Sequence, residues 1–119
     1  MSNNVILDKS MTFAIRVVKL YKWLCEERKE YVISKQLLRS GTSIGANVRE
    51  AQGAISTKEF VKIVHVSLKE CKESIYWIEL LYKTEYLDQK MFESLNNDIV
   101  ELEKLLTSIL KSTKSANNF

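Results

Sequence analysis

The chain has 119 residues and a mass of 13.8 kDa, enough for one domain, and 45% of its residues are hydrophobic. It contains no proline and three glycines, and 28% of its residues are charged, which excludes collagen-like, disordered and disulfide-scaffold classes and favours an all-helical one. The formal net charge of +3 is mildly basic, far from that of a histone-like tail.

Four amphipathic segments follow one another, each with apolar residues three and four positions apart. They cover about residues 8–28, 34–53, 57–84 and 88–111, and a polar tail follows over residues 112–119. The third segment opens with Ser56 and Glu59 at the spacing of a capping box, and Asp88 caps the fourth. Because the connections are short, successive helices should return antiparallel. The sequence therefore predicts a single-domain, all-α, antiparallel up-down four-helix bundle.

The third segment carries more apolar surface than one helix of a small bundle can bury. A second apolar row lies away from its core-facing residues on a helical wheel, interrupted by acidic residues. Because an exposed apolar patch usually marks an interface, we expect self-association through this row. The alternative is that Trp77 only covers the edge of the core. The expected interface residues are Ile63, Val66, Glu70, Trp77 and Leu81, with Leu80 in the same row.

Basic residues are concentrated in the first and third segments, whereas the fourth is acidic. A row of cations with interleaved aromatic side chains can neutralise phosphates and stack on bases, which points to nucleic acid. The alternative is an ordinary solvated lysine face. The candidate nucleic-acid-binding residues are Arg16, Lys19, Lys22, Trp23, Lys58, Lys62, His65, Lys69, Lys72 and Lys83.

Gly41 and Gly45 lie inside the second segment, where each costs about 1 kcal/mol relative to Ala, so we expect a neighbouring helix to approach closely there. A polar row runs beside the two glycines. If part of this row is buried, its hydrogen bonds would fix the helix register or a subunit contact. The alternative is a ligand or catalytic site built on Asn47 and Glu50. The members of the row are Ser40, Ser43, Asn47 and Glu50.

No residue pattern typical of an enzyme or a metal site is found in the sequence. His65 is the only histidine, its place in the lysine row predicts plain exposure, and Cys71 lies on a different helix face from it. We therefore expect no catalytic residue, no metal, no cofactor and no small-molecule substrate. Cys25 and Cys71 are interpreted as reduced core residues. Without a secretion signal or an apolar run of roughly 20 residues, the protein is expected to be cytoplasmic, with no membrane partner.

Two motifs stand out, RSGTSIGANVREA at residues 39–51 and LKECKESIYWIELL at residues 68–81, with Lys58-Glu59-Phe60 between them. They resemble the signature of the bacterial 23S rRNA intervening-sequence protein family, also called four-helix bundle proteins. The likeness covers about residues 10–110.

The resemblance implies an up-down four-helix bundle that assembles into a homopentameric ring. The related accessory proteins of diversity-generating retroelements look like nucleic-acid-binding adaptors, and no catalytic activity carries over from the rRNA-associated members. We therefore expect a non-catalytic homo-oligomer, pentameric by this resemblance, that acts as an adaptor binding RNA or DNA. The alternative is a protein–protein scaffold with no nucleic-acid role.

Overall fold

A computed structural model describes residues 4–116, which form four helices. The helices are α1 (Asn4–Glu27), α2 (Ile33–Ala51), α3 (Thr57–Lys83) and α4 (Gln89–Ala116). This confirms the predicted all-α fold, but two helix ends differ from the expected bounds by four or more residues. α1 begins before residue 8, since Ile6 is already buried in the core. α4 continues through the predicted polar tail as far as residue 116, because residues 111–116 contain neither Gly nor Pro to stop it; residues 117–119 lie outside the described part of the chain.

The helices are arranged as an up-down bundle 48 Å long and 22 by 19 Å across. α2 packs along both α1 and α3, and α3 also packs along α4, whereas α1 meets α4 over a much smaller surface. α1 and α3 therefore lie on a diagonal of the bundle. Any surface that combines residues of these two helices has to extend across α2 or α4.

The core runs the length of the bundle between all four helices. Phe13, Leu24, Ile44, Ile78 and Leu106 are each at most 2% exposed. Burying a side chain of this size stabilises the fold by about 1.5–3 kcal/mol. Among residues 4–116, none of the four helices combines the length and the hydropathy that a bilayer-spanning segment needs.

Side-chain caps begin the two C-terminal helices. The Ser56 hydroxyl accepts a hydrogen bond from the Glu59 N–H at 3.1 Å, as the capping-box spacing predicts. The Glu59 carboxylate, in turn, accepts the N–H of Ile55 at 3.3 Å. Asp88 caps α4 by accepting the N–H of Met91 at 2.8 Å. The Ser56 and Asp88 caps expected from the sequence are therefore present, and α3 begins at Thr57 and α4 at Gln89.

The turn between α1 and α2 is held by a buried carboxylate that the sequence pattern did not reveal. Glu30 is 7% exposed, and its carboxylate accepts the backbone N–H groups of Val32, Ile33 and Ser34 at 3.0, 3.0 and 2.6 Å. Burial by itself raises the pKa of Glu30, but the three hydrogen bonds outweigh burial and hold that pKa below its ordinary value. Glu30 therefore caps the N-terminus of α2 as a negative charge.

The close helix approach expected at the glycines of α2 is present, and α1 is the helix that approaches. A Cβ added at Gly41 would lie 3.0 and 3.1 Å from the two methyl groups of Val17. At Gly45 a Cβ would lie 3.2 Å from the hydroxyl and 3.4 Å from the carbonyl oxygen of Ser10. The absent side chains let α1 and α2 pack tightly enough to account for the lost helix propensity.

Replacing Gly41 with Ala is expected to lower the free energy of unfolding by about 1 kcal/mol. Crowding against the buried, β-branched Val17 outweighs the gain in helix propensity, since overpacking a core costs about 1–3 kcal/mol. Urea denaturation measures the difference. Gly53→Ala is the matched control, because its Cβ would make only an ordinary 3.6 Å contact. A Gly41→Ala protein as stable as the control would contradict this packing.

Candidate nucleic-acid and self-association surfaces

The α3 lysine row, formed by Lys58, Lys62 and Lys69, is an exposed and unpaired line of cations. All three residues are exposed, and none of them forms an ion pair or a side-chain hydrogen bond with another residue between 4 and 116. They occupy one side of the helix at intervals of four and seven residues. The row is therefore free to contact an anionic partner.

The remaining predicted cations of α3 are less available. Lys72 pairs with Glu103 of α4 at 3.1 Å, and Lys83 pairs with Glu79 at 2.9 Å. The hydrogen bond that Lys83 donates to the Glu79 carboxylate raises the pKa of Lys83. His65 is half-buried, so the expectation that it is simply exposed was wrong: it lies on the flank of α3 nearer to α4.

The predicted basic residues of α1 form a separate surface. The guanidinium of Arg16 donates to Asp98 at 2.7 Å and to the Ser94 hydroxyl at 2.7 Å, which fixes it against α4. Lys19 and Lys22 are exposed, and Trp23 is half-buried against the core. Because α1 and α3 lie on a diagonal, a single chain does not bring these residues together with the α3 lysine row.

A groove follows the loosely packed seam between α1 and α4. It has a volume of about 340 Å³, an apolar floor and a basic rim on the α1 side. Arg28 closes one end of the seam by donating to the carbonyl oxygens of Glu85 and Tyr86, with its guanidinium 5.9 Å from the Trp23 ring centroid. Helix periodicity alone does not show how far apart two helices stand, so the groove was not predicted. Its lining residues are Arg16, Lys19, Leu20, Trp23, Met91 and Leu95.

The second apolar row of α3 is only partly a surface feature. Val66 is 40% exposed, whereas Ile63 and Trp77 are half-buried and pack against the core. Glu70 lies in the same row and pairs with Arg39 of α2 at 3.2 Å. Leu81 is fully buried, so its assignment to a self-association interface was wrong. Its side chain is buried in the core between α3 and the neighbouring helices.

The edge of this row is fixed by a hydrogen bond within α3 and by an ion pair that joins α3 to α2. The indole N–H of Trp77 donates to the Glu73 carboxylate at 2.9 Å, and Glu73 also pairs with Arg39. Trp77 thus covers part of the core and also borders the exposed surface. A substitution at Trp77 would disturb folding as well as any contact between copies.

Only one member of the polar row in α2 is buried. Ser40 is 0% exposed, and its hydroxyl shares a 2.8 Å hydrogen bond with the Ser74 hydroxyl of α3. Ser43 and Asn47 are half-buried and bond to backbone carbonyl oxygens of their own helix, at 2.7 and 2.8 Å. Glu50 is exposed. The α2–α3 register is therefore fixed by Ser40, and Ser43, Asn47 and Glu50 face outward on the α2–α3 side.

An exposed apolar patch between α1 and α2 was missed. Met11 is 45% exposed and Ile15 is 50% exposed, and they lie one turn apart on α1. Met11 borders a groove of about 210 Å³, which runs along the close α1–α2 contact at Gly45. The four-residue spacing of Met11 and Ile15, away from the core stripe, was the available sequence signal. The lining residues of the groove are Leu7, Ser10, Met11, Ala14, Thr42, Gly45, Ala46 and Arg49.

Both cysteines are free, but only Cys71 is a core residue. Its thiol is 0% exposed and lies 3.5 Å from the carbonyl oxygen of Ile99. Cys25 is half-buried, 3.9 Å from the Ser34 hydroxyl, so its assignment to the core was wrong. Among residues 4–116, no group of three or more His, Cys, Asp or Glu side chains could hold a metal ion.

We expect Cys71 to resist thiol reagents in the folded protein. Burial raises the pKa of its thiol to about 12, and the nearby Glu103 carboxylate acts in the same direction. Because the thiolate is the reactive form, Ellman's reagent at pH 8 should modify Cys71 only after guanidinium unfolds the chain. A Cys25→Ser variant leaves Cys71 as the sole thiol, and rapid modification of this folded variant would contradict the burial.

Comparison with known proteins gives consistent matches. The family model described as 23S rRNA-intervening sequence protein matches residues 2–108. The chain is similar to a solved structure from Bacteroides thetaiotaomicron VPI-5482, a protein of unknown function from the S23 ribosomal protein family, with 55% sequence identity and a TM-score of 0.91. That similarity covers 93% of this chain and 99% of the other. No curated protein matches the chain.

Proposed function

The chain belongs to the 23S rRNA-intervening sequence protein family, and from that premise we propose that it is a non-catalytic, homo-oligomeric adaptor that binds nucleic acid. The solved relative carries no assigned function, so the proposal depends on the surfaces of this chain. RNA is the first nucleic acid to test, since the family description refers to an rRNA insertion.

The observation that carries the proposal is the α3 lysine row. Lys58, Lys62 and Lys69 span about 16 Å along the helix at about 1.5 Å per residue. Each presents a cation without a competing carboxylate from the described residues. Lysines at this spacing can contact several backbone phosphates. Contacts to phosphates do not distinguish one base from another. Binding is therefore expected to depend strongly on salt and weakly on sequence.

Self-assembly would make this short row effective. Three lysines provide few phosphate contacts, but several copies of the row in one particle bind with avidity. Exposed apolar side chains at Val66, Met11 and Ile15 supply surface that association would bury. A pentamer is the assembly we propose, on the resemblance to this family.

The chemistry of the described side chains supports a non-catalytic role. The Cys71 thiol is buried with a raised pKa, which opposes its use as a nucleophile. Asn47 donates its amide hydrogen to the Ser43 carbonyl oxygen of its own helix. Among the described residues, His65 forms no ion pair or side-chain hydrogen bond that would activate it as a base. These contacts favour a binding protein.

Fluorescence anisotropy of a labelled RNA hairpin and a DNA duplex of equal length tests the proposal. The protein should bind at 50 mM salt, and the affinity should fall steeply by 200 mM salt, as counterion release requires. Similar affinities for unrelated sequences are expected. Absence of binding to both probes at 50 mM salt would remove the proposed function.

A protein–protein scaffold is the second candidate, and the groove between α1 and α4 is the observation that favours it. Its floor of Leu20, Met91 and Leu95 suits the apolar face of an amphipathic helix. This candidate predicts an oligomer that binds neither nucleic-acid probe. Leu20 and Leu95 are themselves buried, so a partner would contact mainly the half-buried Met91.

A further inference from the structure

A cavity of about 560 Å³, the turn cavity, lies beside the turn between α3 and α4. Three aromatic side chains line it, those of Trp23, Tyr82 and Tyr86. The indole N–H of Trp23 and the hydroxyls of the two tyrosines form no hydrogen bond with another residue between 4 and 116. The turn cavity therefore offers flat ring surfaces together with three hydrogen-bonding groups that the fold does not use.

The aromatic walls of the turn cavity are held in place by neighbouring side chains. Tyr82 stacks on Phe92 of α4, with the ring centroids 4.2 Å apart and the planes 12° from parallel. The Arg28 guanidinium lies 5.2 Å from the ring centroid of Tyr86 and 5.9 Å from that of Trp23. Its two hydrogen bonds to backbone carbonyl oxygens keep it there. Because the rings are already ordered, a flat ligand can stack on them with little further loss of side-chain entropy.

The charges around the turn cavity suit a nucleobase better than a phosphate. Glu85 and Asp88 line it, and their carboxylates would repel a phosphate inside the cavity but can accept N–H groups from the edge of a base. Unpaired bases are the parts of RNA that proteins bind by stacking on aromatic rings. Lys83 also lines the cavity. Its pair with Glu79 is weak, since both side chains are more than half exposed, so a backbone phosphate can replace that carboxylate.

The α3 lysine row leads to the turn cavity along one side of α3. Lys83 lies about 40° round the helix from Lys69 and about 21 Å further along it, at about 1.5 Å per residue. Tyr76 lies between them on the same side of the helix and is 57% exposed. A strand whose phosphates contact the α3 lysine row can therefore extend as far as the turn cavity.

We propose that the turn cavity binds an unpaired base of a strand whose phosphates contact the α3 lysine row. This inference rests on the proposed function, and it makes single-stranded nucleic acid the preferred class of ligand. Every base has a face that can stack, so the preference is for unpaired nucleotides and not for a sequence. A fully paired duplex would contact the α3 lysine row alone.

Fluorescence anisotropy with an unpaired RNA oligonucleotide and a blunt RNA duplex of equal length tests this inference. Tyr86→Leu removes one aromatic wall but keeps an apolar side chain against the core. It should weaken binding of the unpaired strand about 10-fold and leave binding of the duplex unchanged. The slope of log K against log salt concentration should stay the same, because no cation is lost. Tyr86→Phe keeps the ring and should retain most of the affinity.

Tyr31→Leu is the matched control for loss of an aromatic ring. Tyr31 is 57% exposed in the turn between α1 and α2 and does not line the turn cavity, so this variant should bind both probes as wild type does. Circular dichroism checks that each variant is folded. If Tyr86→Leu weakens binding of both probes equally, or of neither, the inference is overturned, while salt-dependent binding of the duplex would still support the proposed function. If wild type binds neither probe at 50 mM salt, both proposals fail.

Photocross-linking gives a second test that needs no variant. The wild-type protein is irradiated with an unpaired RNA strand that contains iodouridine, which joins covalently to an aromatic side chain stacked on it. Mass spectrometry of the peptides should place the cross-link at Trp23, Tyr82 or Tyr86. Cross-links found only outside the turn cavity would overturn the inference.

Discussion

Replacing Lys58, Lys62 and Lys69 together by glutamate is expected to weaken RNA binding on the order of 100-fold at low salt. Each lysine that contacts a phosphate contributes roughly 0.7–0.9 to the slope of log K against log salt concentration. Loss of three such contacts should therefore reduce that slope by about 2–3 for each protomer in contact with the strand. The fold should be unaffected, since all three side chains are exposed and unpaired among the described residues.

A matched variant separates the effect of position from the effect of net charge. Lys90, Lys104 and Lys111 are exposed residues of α4, and changing them to glutamate alters the net charge by the same amount. At 0.1 M salt, charges further than about 10 Å from the strand are largely screened, so the α4 variant should bind nearly as well as wild type. Anisotropy titrations at two salt concentrations compare the variants. Equal loss of affinity in both would show that the α3 lysine row is not the binding surface.

Replacing Glu30 with Ala is expected to lower the free energy of unfolding by about 2–3 kcal/mol at pH 7. The substitution removes the acceptor of three backbone N–H groups, and a buried donor left without a partner costs about 1–3 kcal/mol. The negative charge at the N-terminus of α2 is lost as well. Urea denaturation measures the effect. Glu27→Ala is the control, because Glu27 is exposed at the end of α1, and its loss should change stability by less than about 0.5 kcal/mol.

The same carboxylate makes part of the stability depend on pH. The folded protein holds the pKa of Glu30 below its ordinary value, so the charged form binds the turn more strongly than the protonated form does. Its contribution is complete above the pKa of the unfolded chain and is lost as the pH falls through the lower, folded pKa. The stability difference between wild type and Glu30→Gln should therefore shrink from pH 6 toward pH 3. A constant difference over this range would contradict the charged cap.

The fold could be predicted from the sequence because the buried apolar residues of each helix recur at intervals of three and four positions. The assignment of Leu81 failed for a geometric reason. α3 packs against both α2 and α4, so its buried arc is wider than a single stripe, and Leu81 lies only about 60° from the core residue Ile78. A helical wheel shows angles, but it does not show how many neighbours a helix has.

Contacts between distant residues were not accessible from the sequence. Arg16 and Asp98 are 82 positions apart, so the pairing that fixes this basic residue of α1 against α4 has no local pattern. Glu30 caps α2 from a turn whose conformation depends on Lys29 at a φ of 56°, a value that non-glycine residues seldom adopt. Met11 and Ile15, in contrast, were visible as a helical pair and are the clearest missed signal.

Sedimentation velocity of a fluorescently labelled RNA hairpin mixed with the wild-type protein at 50 mM salt tests the central claim most directly. The label reports association with RNA, and the sedimentation coefficient reports the size of the particle that carries it. We expect the RNA to move with a protein assembly of about five times 13.8 kDa, as a closed ring of copies predicts. RNA that sediments alone, or with a single 13.8 kDa chain, would contradict the proposal that joined copies present their lysines to nucleic acid.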